Sequence, residues 1–386
     1  MSQTRTAEIA GAGLAGMTAA AVLAQRGWKV RVHEKGPALR EIGAGIFLWE
    51  NALRVLEEIG AYDEVATKGE MVERHQLRDH VQRVLQDDWL RGSWRLRTVV
   101  RGDLHAALAR VAVAAGAEVV TNSRAVEARP QGELVLEGGQ RLRADLVIGA
   151  DGVFSAIRES LGLTQRMVDL QDGCGRHLID RTPNDPVRRT YEIWNGGRRL
   201  GIAPSSREKV YLFLCCPASD LQGRAQHPFD PVSWVNSYPD YRDTIERIPR
   251  LDDGRWATFH DVVCHRWSKG RVALIGDAAH AMSPNLGQGA CMAMTNALAL
   301  AQAVDSSPTT EMALDRWERS ERPIVDRAQR FSHWYGKFGT RWPTAKPLLD
   351  ARSAMVWGLG KSRRFQVFLN GMAAHVPALD GTAGSA

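Results

Sequence analysis

The first half of the chain repeats one pattern: a short apolar run, a glycine-bearing loop, then a longer segment rich in alanine. Residues 7–10 read as a strand that runs straight into Gly11-Ala12-Gly13-Leu14-Ala15-Gly16, and 17–26 read as a helix stopped by Gly27. A second strand at 29–33 ends in Glu34-Lys35 and completes a β-α-β unit of the usual size, about thirty residues. Helix signals recur at 51–59, stopped by Gly60, and at 104–115, with strands at 118–120 and 146–148. Alternation on both sides of Gly138-Gly139 predicts a hairpin.

Two other textures interrupt this pattern. Residues 70–98 are polar, alternating and rich in Trp and Arg, and read as strands leaving the first unit. From 165 to 265, strand-like runs such as 210–214 alternate with Pro- and Gly-containing turns, without alanine-rich helices. An apolar strand returns at 272–275, a helix follows Gly289 to about 304, and 312–317 and 323–334 are helical in pattern. The tail 381–386 is expected to be disordered. The expected fold class is α/β (α+β): a Rossmann-like unit at 1–69, 99–165 and 266–305, interrupted by a sheet-rich unit at 70–98 and 166–265. A helical region at 306–386 completes it.

Composition narrows this picture only slightly. Over 386 residues, 44% hydrophobic and 24% charged usage is ordinary for a globular protein and excludes a disordered chain. Five cysteines without a C-x-x-C pair argue against a disulfide framework or a zinc site, so no metal is expected, and they fit a reducing cytoplasm. The net charge of +6 comes from scattered arginines, which suits an anionic cofactor or substrate better than nucleic acid. No apolar segment is long enough to span a bilayer; 290–304 is too short and carries Thr295, Asn296 and Gln302.

The candidate chemistry lies at three strand-to-loop junctions. In the first, Gly11 permits the tight turn, Gly13 lets the backbone approach a pyrophosphate, and Gly16 allows close packing of helix on strand. Glu34, at the end of the next strand, is placed to accept both ribose hydroxyls, which points to FAD or NAD rather than NADP. The second is Gly149-Ala150-Asp151-Gly152, followed by Ser155 and Arg158. The third is Gly276-Asp277-Ala278-Ala279-His280, followed by Pro284 and Gly287-Gln288-Gly289. A nicotinamide dehydrogenase has no need of these two extra loops, whereas a longer cofactor with a ribityl chain does. Free N–H groups at the helix start after Gly287 can hold a negatively charged ring oxygen.

Together, Gly11 to Gly16, Asp151-Gly152 and Gly276-Asp277 resemble the three fingerprints of the single-component FAD-dependent aromatic hydroxylases, the p-hydroxybenzoate hydroxylase type, over residues 7 to about 330. The resemblance implies an extended FAD, held by Gly11, Gly13, Leu14, Ala15, Gly16, Glu34, Lys35, Arg40, Ala44, Arg101, Asp151, Asp277, Gly287, Gln288 and Gly289. NADH or NADPH would visit transiently, and oxygen would be activated at the C4a carbon of the reduced flavin. Within the family, 43–49 and 51–56 resemble the branch acting on hydroxypyridine carboxylates and hydroxynicotinate. That implies a small aromatic acid as substrate, hydroxylated and in some relatives also ring-opened. Arg199 would pair with its carboxylate and Tyr211 with a ring oxygen, and His75, Phe47 and Pro284 would line the same pocket. No protein nucleophile is implied, and a monomer or homodimer is expected.

Plainer readings stand beside these. His280 can be a satisfied structural histidine, Tyr211 a core aromatic, and Arg199 beside Arg198 a solvated pair. Other functions on the same fold are a hydroxybenzoate or salicylate hydroxylase, a flavin reductase or halogenase, and a flavin-binding protein without oxygenase activity. Trp89 and Trp94 do not form the Trp-x-Trp-x-Ile-Pro element that halogenases of this group carry.

Overall fold

The structure is a computed structural model that describes residues 4–39, 44–90, 94–251 and 256–377. Arg40, Gly43 and the tail 381–386 lie outside the described residues. Four parallel strands, Leu146–Gly149, Thr6–Ala10, Lys29–His33 and Glu118–Val120, lie side by side in that order. Val272–Leu274 adds a fifth parallel strand beyond Leu146–Gly149, and Ser268–Lys269 forms an antiparallel edge. Ile9, Val32, Val147, Ile148 and Val272 are fully buried, the expected mark of a parallel sheet covered on both faces. The helix Leu14–Gln25 is buried at every residue except Ala15 and Gln25. Its alanines have little side chain to hold the neighbours away, so the helices Arg101–Ala114 and Gly289–Asp305 pack closely against it. Gly138 and Gly139 both take positive φ, +94° and +87°, in the turn joining Glu133–Leu136 to Arg141–Arg143.

A second, seven-stranded sheet runs in the order Ala257–Cys264, Thr164–Asp180, Lys209–Pro217, Arg198–Pro204, Arg189–Asn195, Arg74–Arg78, Val84–Trp89. The strands from the 70–98 region divide between sheets. Arg74–Arg78 and Val84–Trp89 join the large sheet, while Glu70–Val72 and Leu96–Val100 pair with each other, Leu96–Val100 also pairing with Gly45–Trp49. Period-two alternation splits the large sheet into two faces. Val210, Leu212, Leu214 and Cys216 enter a core closed by the helices Pro231–Ser237 and Arg242–Ile245, through Trp234, Tyr238 and Ile245. Tyr211, at the alternate position, instead packs with Ala44 of the first unit, and Phe47 and Phe213 pack against them.

The C-terminal region is helical at Thr310–Thr340, Lys346–Gly360 and Arg363–Ala373. The two helical patterns at 312–317 and 323–334 are one 31-residue helix that passes through Pro323. A proline inside a helix costs about 3 kcal/mol. Here Leu314, Trp317, Glu321, Val325, Ala328 and Ser332 form one buried stripe that crosses Pro323 without a break in period, and that packing outweighs the lost hydrogen bond. No helix among the described residues is long and apolar enough to cross a membrane.

Candidate active site

The parallel strands end on one edge of the sheet, and the three motif loops leave from that edge, where ligands bind in open α/β sheets. Their contact is tight. Gly11 sits at φ +98°, and a Cβ there would lie 2.8 Å from the carbonyl carbon of Ala150 and 3.1 Å from Cα of Asp151. A Cβ on Gly16 would fall on the carbonyl oxygen of Gly11, and one on Gly276 would meet Cβ of Ala15 at 2.9 Å. Leu14 is the first residue of the helix after Gly13, so its N-terminal N–H groups open toward the loop edge. Glu34 accepts from the Ala12 N–H (3.1 Å) and the Gly36 N–H (2.8 Å), one bond per carboxylate oxygen, which leaves lone pairs for ribose hydroxyls. The Ala12 carbonyl is held by His105 Nε2 at 2.6 Å. Lys35 is exposed, Ser155 caps the helix Ala156–Ser160 and donates to Asp151, and the Arg101 N–H donates to Ala44 O at 3.0 Å. Asp277 begins the short helix Asp277–His280. These backbone cradles, closed to any side chain, fit a dinucleotide.

The third loop is fastened from two sides. Pro284–Leu286 forms a 3-10 turn with Pro284 exposed, Gly287 takes φ +63°, and Gly289 starts the helix to Asp305 after Gln288. Trp49 Nε1 donates to Leu286 O (3.2 Å), and Asn51 Nδ2 donates to Gln288 Oε1 (3.1 Å). His280 is buried against Trp267, ring centroids 5.1 Å apart, with Nε2 3.0 Å from Asn296 Nδ2, which is the structural histidine of the plainer reading.

Burial lowers the His280 pKa to about 4 from its ordinary 6.5. The unfolded chain therefore takes up a proton near pH 6.5 that the folded protein refuses until about pH 4. The stabilisation is complete above 6.5 and falls away between those values, by up to about 3 kcal/mol. Urea unfolding at pH 7 and pH 4.5 should show this loss in the parent protein and a much smaller one in His280→Asn.

Facing the loop, the open face of the large sheet forms a mainly apolar wall. Tyr211 and Phe213 have ring centroids 5.7 Å apart, Phe47 meets Phe213 edge-on at 6.4 Å, and Leu178 and Ala203 fill the spaces between. Gly45 is the residue that lets Tyr211 in: a Cβ there would lie 2.5 Å from Cβ of Tyr211. Phe213 likewise covers Gly201. The structure brings Ala44, Phe47 and Tyr211 together, and it adds Arg176, which sequence reading missed. Arg176 lies beside the Tyr211 hydroxyl and 6.0 Å from the Phe259 ring centroid, with no acidic partner among the described residues. Its only sequence signal is a charge at an alternating position between Cys174 and Leu178.

Arg199 is placed differently from the expectation. It is 1% exposed, with Nη1 3.2 Å from Glu192 Oε1 and Nη2 donating to Asn285 Oδ1. His75 holds Thr190 Oγ1 at 2.8 Å and is paired across the strands with Asp88, with two strands between its own and the Lys209–Pro217 strand that carries Tyr211.

Comparison with known proteins places this geometry. The family defined as an FAD binding domain matches residues 3–332. A probable 2-heptyl-3-hydroxy-4(1H)-quinolone synthase of Rhodococcus erythropolis is 38% identical over 335 residues, 85% of this chain and 87% of that protein. A 6-hydroxynicotinate 3-monooxygenase of Bordetella bronchiseptica is 29% identical over 348 residues, covering 84% and 90%. Among solved structures, the tetrameric form of 2-methyl-3-hydroxypyridine-5-carboxylic acid oxygenase superposes with a TM-score of 0.86, at 36% identity over 97% of both chains. With its three glycine-bearing motif loops on one sheet edge, the chain belongs to the FAD-binding-domain family and is an FAD-dependent aromatic monooxygenase.

Proposed function

We propose that this enzyme hydroxylates an N-heteroaromatic ring bearing an oxo or hydroxyl group, of the 4-quinolone kind, with NAD(P)H and O2. The observation that carries this reading is the Arg176–Tyr211 pair set in an apolar wall, while Arg199, the expected carboxylate anchor, is taken up by Glu192 and Asn285. The 38% identity to a quinolone synthase is in keeping with it.

Bound FAD supplies the redox and oxygen chemistry. The chain's own groups bind and orient the ring. Burial pushes the Tyr211 phenol well above its ordinary pKa and Arg176 only partly opposes this, so Oη keeps its proton. A guanidinium directed at that oxygen leaves the phenol proton free to be donated to the ring oxygen of a substrate. A charge-backed donor at this point favours the oxyanion, the more electron-rich form of the ring. Phe47, Leu178, Ala203 and Phe213 exclude water around it.

A hydroxypyridine carboxylate is the second reading, favoured by Arg176, which has no acidic partner among the described residues and whose N–H groups suit a carboxylate. NAD(P)H oxidation by the yellow holoenzyme, measured with 2-alkyl-4-quinolones, hydroxypyridine carboxylates and hydroxybenzoates, separates the readings. Strong stimulation by the quinolones with a product heavier by one oxygen is expected. Stimulation by pyridine acids alone replaces the first reading with the second, and stimulation by benzoates alone removes both.

A further inference from the structure

We propose that Arg199 is a positioning residue for the Pro284–Gly289 loop and does not bind substrate; this rests on the assignment of that loop to the flavin ring. Asn285 is the loop's polar hub. Its Nδ2 donates to Ser283 Oγ (2.8 Å) and Ser332 O (2.9 Å), and its Oδ1 accepts from Arg199. Ser332 Oγ closes the circuit on Ser283 O at 2.6 Å. Behind Arg199, Glu192 Oε1 takes the guanidinium and the Trp194 indole N–H (2.8 Å), and Glu192 Oε2 takes the Tyr335 hydroxyl (3.2 Å). The Trp194 and Tyr335 donors therefore set the orientation of the carboxylate, and it in turn sets the guanidinium.

The helix Thr310–Thr340 is built around this arrangement. A Cβ on Gly336 would lie 2.6 Å from Asn285 Nδ2, and one on Gly339 would lie 2.6 Å from Cδ of Arg199. A glycine inside a helix is destabilising relative to alanine. Two of them one turn apart vacate the space that Asn285 and Arg199 occupy. Trp49 and Asn51 fasten the same loop from the other unit, so the loop is held from both units and Arg199 is the grip of the large sheet. The Arg199 Nε is buried without a hydrogen-bond partner, and Gly339 lies against it; a substrate has no path to it on that side.

The test uses the purified holoenzyme and the variants Arg199→Met, Asn285→Ala and their combination. The readouts are the visible absorption and fluorescence of bound FAD, the FAD dissociation constant, and the dissociation constant of the aromatic substrate found in the panel above. Both single variants should perturb the flavin spectrum and weaken FAD about 5- to 20-fold, less than the full worth of a hydrogen bond to a charged group because Trp49 and Asn51 still hold the loop. The double variant should be no worse than the weaker single, and substrate affinity should change less than about threefold, since coupled residues are non-additive. A substrate dissociation constant raised more than about tenfold by Arg199→Met, with a normal flavin spectrum in Asn285→Ala, would overturn the proposal, as would additive effects on FAD. Asn285→Ala removes the contact while leaving the Arg199–Glu192 pair intact, so it carries the comparison if Arg199→Met does not fold. The flavin readouts need no turnover, so a wrong substrate class leaves them interpretable.

Discussion

Gly16→Ala is expected to yield a folded but colourless protein. The added methyl falls on the carbonyl oxygen of Gly11, a backbone atom held in the loop by the Gly11 N–H bond to His33 O (2.8 Å) and by Ala150 on its other side. Neither partner is the flexible end of a side chain, so the helix Leu14–Gln25 must move off the strand at its first turn. Overpacking of this kind costs about 1–3 kcal/mol. The displacement also withdraws the helix N–H groups from the pyrophosphate, whose charge-assisted bonds are worth about 1.5–3 kcal/mol each. Loss of one or two of these bonds raises the FAD dissociation constant by about one to four orders of magnitude. Titration of the apoprotein with FAD, followed by flavin fluorescence, reads this directly. Gly358→Ala is the control: that helical glycine lies in Lys346–Gly360 with nothing within 4 Å of its would-be Cβ. It should bind FAD as the parent does, and wild-type affinity in Gly16→Ala would show that the loop does not cradle the pyrophosphate.

The conformation of the three motif loops was legible because its requirements are local. Gly11 and Gly16 must lack side chains for reasons set within a few residues of chain, and Glu34 follows at a strand end whose position the β-α-β spacing determines. The apolar wall is different in kind. Tyr211 pairs with Leu178 across the sheet and Arg176 with Phe213, and that register follows from contacts between strands distant in sequence. A single chain shows alternation but not which alternating set faces which neighbour. His177, next to Arg176, points to the other face and holds Gln226 at 2.7 Å. The same limit explains Arg199, whose partners Glu192 and Asn285 lie on two other elements. It also explains the division of the 70–98 strands between two sheets, and the helix that continues through Pro323 because a buried stripe outweighs a local breaker.

Arg176→Met and Tyr211→Phe, measured singly and together, decide what the wall recognises. If a ring oxygen is held by the Tyr211 proton and Arg176 acts through that hydroxyl, each single variant loses the same charge-backed hydrogen bond. Each should lower kcat/KM by about 10- to 150-fold, the worth of about 1.5–3 kcal/mol, and the double variant should lose little more. If Arg176 instead pairs with a substrate carboxylate, the two side chains act separately. Arg176→Met then leaves a buried carboxylate without its partner, a loss of about 3–5 kcal/mol that appears mainly in KM, while Tyr211→Phe costs about tenfold or less. Methionine is chosen because Arg176 stands between Tyr211 and the Phe259 ring, and an unbranched apolar side chain fills that space without a new polar group. The coupling energy of the cycle is large under the first reading and near zero under the second. It therefore reports whether the guanidinium touches the substrate or only the phenol that does.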